Sequence, residues 1–330
     1  MKALVTGANG FIGSCLTRML AERGRLVRAF VLKGTGYENI AEYASELRIG
    51  DVRDPADCEN AARGVDVVYH LAAIASDYIT KETALQVNYR GTENLLNASV
   101  KAGVKRFVFV SSLSVHHFRG YTKGDESAPR DGFLTPYSYS KIKAEDAINK
   151  FHSKGEIEGC VVRPGVFPFG PGDFTSFYHL AGVLEKGYFG FVNGGKALLC
   201  TAFVENLCDG LMLCGEKEQA AGETFVISDD SAICWRELIE MFCRELGVKP
   251  PTRSLPLSFA LPVAAIMEEL WWRFGAKNAP PLTPYRIMLV ARDFYFTNEK
   301  AKRLLGYCPK VGLDEAVKKT ANWYLSIKKG

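Results

Sequence analysis

The sequence predicts an α/β protein: a Rossmann-type doubly wound parallel sheet followed by a smaller mixed α/β lobe. Three observations carry this. Short β-rich runs alternate with helical stretches through the first half of the 330 residues, the pattern of βαβ units with helices on both faces of a parallel sheet. A glycine-rich turn, "TGANGFIG" (6–13), joins the first strand to the first helix. After about Pro164 the texture changes, and Gly, Pro and aromatic residues crowd 164–195.

Strands are expected at 2–7, 26–32, 46–51, 65–73, 105–112 and 159–165, with helices at 12–23, near 55–63, at 83–102 and at 137–151. Right-handed crossovers leave few topologies for such a series. Two shorter αβ pieces follow, then a Pro- and Trp-rich stretch, 250–285, and an amphipathic closing helix, 313–329.

Bulk composition narrows the function. The formal charge is only +4 and the basic residues are scattered, so nucleic acid is not an expected partner. Nine cysteines without a CxxC pair or a signal peptide read as reduced thiols of a cytoplasmic protein. The longest apolar tract, 255–266, is broken by Pro256 and Pro262 and is too short to span a bilayer. Peripheral contact with a membrane surface stays open.

In the glycine-rich turn, Gly7, Gly10 and Gly13 stand between a strand and the start of a helix, with Phe11 and Ile12 in that helix's first turn. Small residues let the backbone approach a pyrophosphate, and the helix N-terminus supplies N–H donors and positive potential. The plainer reading is a tight turn with close helix–strand packing. A dinucleotide-binding domain is thus placed at 1–165, with strand pieces near 201–210 and 223–228 returning to it, and a substrate-binding lobe at 166–330. Sites that prefer NAD usually carry an acid at the end of the second strand. Here that end reads Val31, Leu32, Lys33. Lys33 could attract a 2′-phosphate or be a solvated loop lysine. The cofactor is read as NADP or NAD, leaning to NADP.

"PYSYSKIKA" (136–144) holds two overlapping Tyr-x-x-x-Lys frames. Helical periodicity puts Tyr137, Lys141, Ala144, Ile148 and Phe151 on one face, and Tyr139, Lys143, Asp146 and Lys150 on another. The first face turns apolar and should pack inward. The second is charged throughout and should be solvated. Tyr137 and Lys141 are therefore the expected proton-transfer pair, the ammonium drawing the phenol's pKa below its usual value of about 10. A third group should polarise the substrate oxygen. "FVFVSSLSV" (107–115) ends at the carboxyl edge of the sheet and offers Ser111, Ser112 and Ser114. Strand alternation cannot choose among them, because the chain is leaving the strand.

The GxxGxxG spacing and the "PYSYSK" run resemble the extended type of short-chain dehydrogenase/reductase, the superfamily of NAD-dependent epimerases and dehydratases. The resemblance implies that Ser112 holds the substrate oxygen, Tyr137 moves the proton, and Lys141 also bonds the nicotinamide ribose. "GDVRD" (50–54) and "HLAA" (70–73) resemble adenosine contacts, which implicates Asp51, Val52, Leu71, Ala72 and Ala73. "VNYRGTENLL" (87–96) resembles the helix whose asparagine, here Asn88, braces the site, and "VVRPG" (161–165) implies Pro164 beside the nicotinamide. "AFVENLCDG" (202–210), "ETFVISDD" (223–230) and 298–320 resemble later pieces of the same fold.

The apolar segments 257–274 and 280–296 resemble the second lobe of 3β-hydroxysteroid dehydrogenase-like and dihydroflavonol reductase-like enzymes. They read equally as lobe core or dimer face. The implied function is transfer of hydride between a nicotinamide and a secondary alcohol or ketone of a fairly apolar small molecule, in a homodimer. The alternative is a nucleotide-sugar 4-epimerase, with Arg286 or Arg292 on the diphosphate. Leu113 and Ser114 stand where a dehydratase would carry its acids, so dehydration is not expected. The adjacent His116 and His117 lack the partner ligands of a metal centre, and no metal site is assigned.

Overall fold

Ala3, Leu4 and Val5 leave the first strand no polar face, and all three are fully buried. A central strand of a parallel sheet needs this, because helices cover it on both sides. The computed structural model describes residues 1–132, 135–276 and 278–329. Its first half runs β1 (Lys2–Thr6), α1 (Phe11–Glu22), β2 (Leu26–Val31), β3 (Glu46–Ile49), α2 (Pro55–Ala62) and β4 (Val67–His70). Helix α3 then comprises Lys81–Ala84, a π-helical Leu85–Arg90 and Gly91–Lys101. β5 (Arg106–Val110), a 3₁₀ turn (Leu113–Val115), β6 (Tyr121–Gly124), α4 (Pro136–Ser153) and β7 (Glu158–Pro164) follow.

The second half contains β8 (Phe167–Phe169), α5 (Phe177–Glu185), β9 (Phe191–Val192), β10 (Leu198–Phe203), α6 (Val204–Glu216), β11 (Thr224–Ile227) and β12 (Ala232–Cys234). It closes with α7 (Trp235–Leu246), β13 (Ser254–Leu255), α8 (Leu257–Arg273), α9 (Pro284–Ala291), β14 (Phe294–Phe296), α10 (Glu299–Leu305) and α11 (Leu313–Lys329).

Seven parallel strands form the central sheet in the order β11-β7-β5-β4-β1-β2-β3. The order reverses between β1 and β4, and ligands of open α/β sheets bind outside the carboxyl ends at such a point. Alternation along β1 feeds two apolar layers. Ala3 and Val5 pack with Leu16 and Leu20 of α1 and Leu207 and Leu211 of α6. Leu4 packs on the other face with Cys58 of α2, Leu95 and Leu96 of α3, and Ala144 and Ile148 of α4.

A mixed sheet, β12-β10-β14-β6 with β8 on β10, lies over the second half. Here the structure departs from expectation. Thr224–Ile227 does return to the central sheet, beside β7. The stretch at 201–210 divides instead. Its strand part, Thr201–Phe203, pairs with β8, while the residues just before it in β10 pair with β12 and β14, and only its helical part, in α6, packs against the central strands. A β-rich run does not say which sheet will pair with it. β6, from the first half, also joins the mixed sheet through β14.

The 257–274 segment is helix α8 with Pro262 inside it. It buries Ala260 and Ala264 against Val192, Ile287 and Ala291. Phe259, Ile266, Leu270, Trp272 and Phe274 are left exposed, so these five are not lobe core, while Leu257 and Leu261 pack against the buried cluster. No helix among the described residues is long and apolar enough to cross a membrane.

The glycine turn is packed to its limit. A Cβ on Gly13 would stand 2.1 Å from the Gly7 carbonyl oxygen, which is backbone and cannot yield cheaply. Gly13→Ala is expected to destabilise by about 1–3 kcal/mol, measured as a lowered Tm.

Candidate active site

The site is assembled at the carboxyl ends of β1, β4 and β5. Gly7 turns the chain with φ +63°, donates its N–H to the Phe30 carbonyl at 3.0 Å, and accepts from the Gly10 N–H at 3.0 Å. A Cβ on Gly7 would lie 3.1 Å from the Ala72 backbone, so the two loops touch at this residue. Thr6 joins them: its hydroxyl accepts the N–H groups of Leu71 (3.2 Å) and Ala72 (3.1 Å) and donates to His70 Nδ1 (2.7 Å). That assignment makes His70 Nε2 the donor to the Thr92 hydroxyl (3.0 Å), which donates in turn to the Asn88 carbonyl (2.6 Å). Burial, then the Lys141 charge, pulls His70 down to about 3, so the ring stays neutral. Ala73 is the next link in the β4 loop.

Asn88 is buried with both ends of its amide engaged. Its Oδ1 accepts from the Ile74 N–H at 2.8 Å, and its Nδ2 donates to the Ile74 carbonyl (3.2 Å) and the Ser140 hydroxyl (3.0 Å). It ties the β4 loop to α4. Asp51 and Val52 follow β3. Burial raises the Asp51 carboxyl, but the Arg53 hydrogen bonds outweigh it and hold the group below its usual range. Val52 is buried, and its carbonyl accepts from Asn94 at 3.1 Å. Lys33 is exposed beyond β2. Pro164 ends β7 opposite Ile227.

Helix α4 starts with Thr135 as N-cap, accepting from the Ser138 N–H at 3.1 Å, and with Pro136 in the first turn, the residue types that favour a helix start. Tyr137 and Tyr139 are both half-buried, and the faces differ further along the helix. Lys141 is 3 % exposed, and Ala144 and Ile148 are fully buried behind it. Asp146 and Lys150 are exposed on the other face. Lys141 Nζ donates to the Val110 carbonyl at 2.8 Å and stands 4.7 Å from the Phe109 ring centre and 5.9 Å from that of Tyr137.

Of the three serines, Ser111 turns away and donates to Glu145 Oε1 at 2.5 Å. Ser112 caps the 3₁₀ turn, accepting from the Ser114 N–H at 3.1 Å, and its hydroxyl faces the Tyr137 phenol. Ser114 is buried in the same turn.

The acidity of Tyr137 runs against expectation. Burial pushes the phenol up to about 12, with the Ser112 hydroxyl pulling the other way. Burial also draws Lys141 down to about 7, opposed by the Glu145 charge. An amine drawn down so far is charged only part of the time at neutral pH, and it is bonded to a carbonyl rather than to the phenol.

Beneath the triad lies a network that was not read from the sequence. Arg163 donates from Nε to Glu145 Oε1 (2.9 Å) and from Nη2 to Oε2 (2.7 Å), a fully buried bidentate pair. Arg163 Nη1 donates to His116 Nε2 at 3.1 Å, and His116 Nδ1 donates to the Pro129 carbonyl at 2.9 Å. Burial and the Arg163 charge pull His116 down to about 4, so it is a neutral linker.

The 3-beta hydroxysteroid dehydrogenase/isomerase family matches residues 4–257. The chain belongs to that family. A 3 beta-hydroxysteroid dehydrogenase/Delta 5-->4-isomerase of Mycobacterium tuberculosis is 31% identical, over 99% of this chain and 91% of its own. A 2-alkyl-3-oxoalkanoate reductase of Stenotrophomonas maltophilia (strain K279a) is 28% identical, over 97% of this chain and 98% of its own. The crystal structure of gox2253 superposes with a TM-score of 0.83 at 30% identity, covering 98% of each chain.

As a member of the 3-beta hydroxysteroid dehydrogenase/isomerase family, the protein is a nicotinamide-dependent oxidoreductase of the extended short-chain type. The glycine turn fits such a dinucleotide. A side chain on Gly7, Gly10 or Gly13 would press on backbone within 3.2 Å, and the first turn of α1, at Phe11 and Ile12, presents N–H groups without helical partners.

Lys141 also makes the protein's stability depend on pH. Unfolded, the amine keeps its proton up to its ordinary value of 10.5; folded, only up to about 7. The unfolded chain therefore binds more protons between those values, so stability rises with pH across that window and the full penalty is present below it. Lys141→Met removes the penalty. The variant should melt above the wild type by roughly 5 °C near pH 6, with the gap closing as the pH nears 10.5.

Proposed function

We propose that this enzyme reduces the keto group of an apolar molecule to a secondary alcohol, with NADP(H) as the preferred dinucleotide. The carrying observation is the Tyr137 phenol facing Ser112 at the end of β5, one helical turn before the buried Lys141. A phenol protonated at neutral pH is set to donate, which is what carbonyl reduction asks of it. Ser112 donates a hydrogen bond to the substrate oxygen, and Tyr137 delivers the proton to that atom. Lys141 keeps the base of α4 dry and offers its remaining N–H donors to the nicotinamide ribose. The dinucleotide, when bound, supplies the hydride. Gly7, Gly10, Phe11, Ile12 and Gly13 hold its pyrophosphate; Asp51, Val52, Leu71, Ala72 and Ala73 flank the adenosine, and Pro164 the nicotinamide.

An apolar substrate is supported by the relatives, which act on 3 beta-hydroxysteroids and a 2-alkyl-3-oxoalkanoate. It is supported also by the arginines that a nucleotide sugar would need. Arg286 is committed to Asp77 at 2.9 Å and to the Pro280 carbonyl at 2.9 Å, and Arg292 to the Phe118 carbonyl at 3.4 Å. The preference for NADP rests on Lys33 and on the lack of an acid at the end of β2. The division of labour is a dinucleotide domain at 1–165 and a substrate lobe at 166–330. Free thiols at all nine cysteines suit the cytoplasm, and the exposed apolar face of α8 suits pairing with a second copy.

Deuterium transfer tests the proposal. A long-chain ketone incubated with NADPH deuterated at C4 should yield the alcohol with deuterium on its carbinol carbon, faster than with NADH. Tyr137→Phe should lower kcat/KM by about 10²–10⁴-fold. An unlabelled alcohol, or full activity in the variant, would contradict it.

A further inference from the structure

A second pair of hydroxyls stands beside Ser112 and Tyr137. Ser114 is 4 % exposed, and its hydroxyl has no hydrogen-bond partner among the described residues. Buried polar atoms in native proteins are seldom left so, and a bound molecule is one way to satisfy them. The Tyr285 ring packs on the apolar cluster of Leu113 and Phe118, which brings its phenol to the Ser114 hydroxyl and within electrostatic reach of Tyr137.

Tyr285 is held there from three sides. It occupies the first turn of α9, whose N-cap Thr283 accepts from the Arg286 N–H at 3.1 Å. Thr283 donates its own hydroxyl proton to Asp77 Oδ2 at 2.6 Å, and Arg286 donates to Asp77 Oδ1 at 2.9 Å. Asp77 belongs to the loop that leaves β4, so the sheet domain itself anchors the start of α9. The Tyr285 ring meets Phe118 edge to face, with centroids 5.3 Å apart. One hydroxyl thus comes from the turn that also carries Ser112, and the other from the helix packed against that turn.

We propose that Ser114 and Tyr285 bind a second oxygen of the substrate, one or two carbons away from the oxygen held by Ser112 and Tyr137. This rests on the ketone-reduction reading of that first pair. Two hydroxyls offer donors to a lone pair. The charges that act on Tyr285 are those of Asp77 and Arg286, already joined to each other. No free cation faces the phenol from these elements, so an uncharged acceptor suits the subsite better than a carboxylate. The substrate class is an apolar ketone with a neighbouring ester, keto or hydroxyl oxygen. Ser114 and Tyr285 are specificity-determining residues, not movers of the proton.

The test compares two probes on the protein loaded with oxidised dinucleotide, where neither ketone can be reduced: a long-chain 3-oxo ester, and the ketone of equal length without the ester group. Calorimetric dissociation constants should favour the ester by about ten- to a hundredfold in the wild type. Tyr285→Phe keeps the ring against Phe118, and Ser114→Ala keeps the turn; each should shrink the ratio to within about threefold. Tyr137→Phe should weaken both probes alike and keep the ratio. Equal affinities in the wild type, a ratio unchanged in both subsite variants, or no binding of either probe overturns the proposal. A wild type that keeps the ratio but never reduces either ketone would sink the oxidoreductase reading and leave the subsite standing.

Discussion

The Glu145 carboxylate and the Arg163 guanidinium, paired out of solvent, hold the elements that carry Ser112, Tyr137 and Lys141 in register. Glu145 sits one turn after Lys141 on α4, Arg163 on β7, and Ser111, bonded to the same carboxylate, one residue before Ser112. The pair therefore ties the helix that carries the phenol to the strand that carries the serine, and through His116 to the loop before α4. Burial alone would raise the carboxyl; the Arg163 contacts outweigh it and hold the group below its ordinary range. Breaking such a pair on one side typically costs about 3–5 kcal/mol, because a charge is left buried alone. Its negative charge also limits how far burial can lower Lys141.

The dinucleotide side is joined to this core by neutral groups. Thr6, His70, Thr92 and Asn88 form a continuous run of hydrogen bonds from the glycine turn to α4. The Asp77 contacts to Thr283 and Arg286, with Tyr78 stacked on Trp272 at 4.1 Å, attach the β4 loop to the second lobe. One loop thus lies against the glycine turn through Ala72 and against the second half of the chain through Asp77 and Tyr78.

Much of this was legible in the residues because local rules agreed. The glycine turn combined a buried strand, small residues and a helix start. The choice of Tyr137 over Tyr139 followed from which helical stripe turns apolar, and Lys141, Ala144 and Ile148 are indeed buried. What was hidden depends on distance along the chain or on burial. Glu145 and Arg163 lie on separate elements, and nothing in either local pattern names the other. Asp77 meets Thr283 and Arg286 across more than 200 residues. Helical spacing brings an ammonium near Tyr137 but does not show how burial acts on the two groups. Strand alternation ends before Ser114, and only the 3₁₀ turn shows that it is buried.

The most direct measurement is the pH profile of kcat/KM for Glu145→Gln against the wild type, with kcat and KM resolved. If the buried pair sets the triad, kcat should fall at least tenfold with KM little changed, and the limb belonging to Lys141 should move to lower pH, since the charge that props its pKa is gone. An unchanged kcat with that limb in place would show that the triad keeps its geometry without the pair.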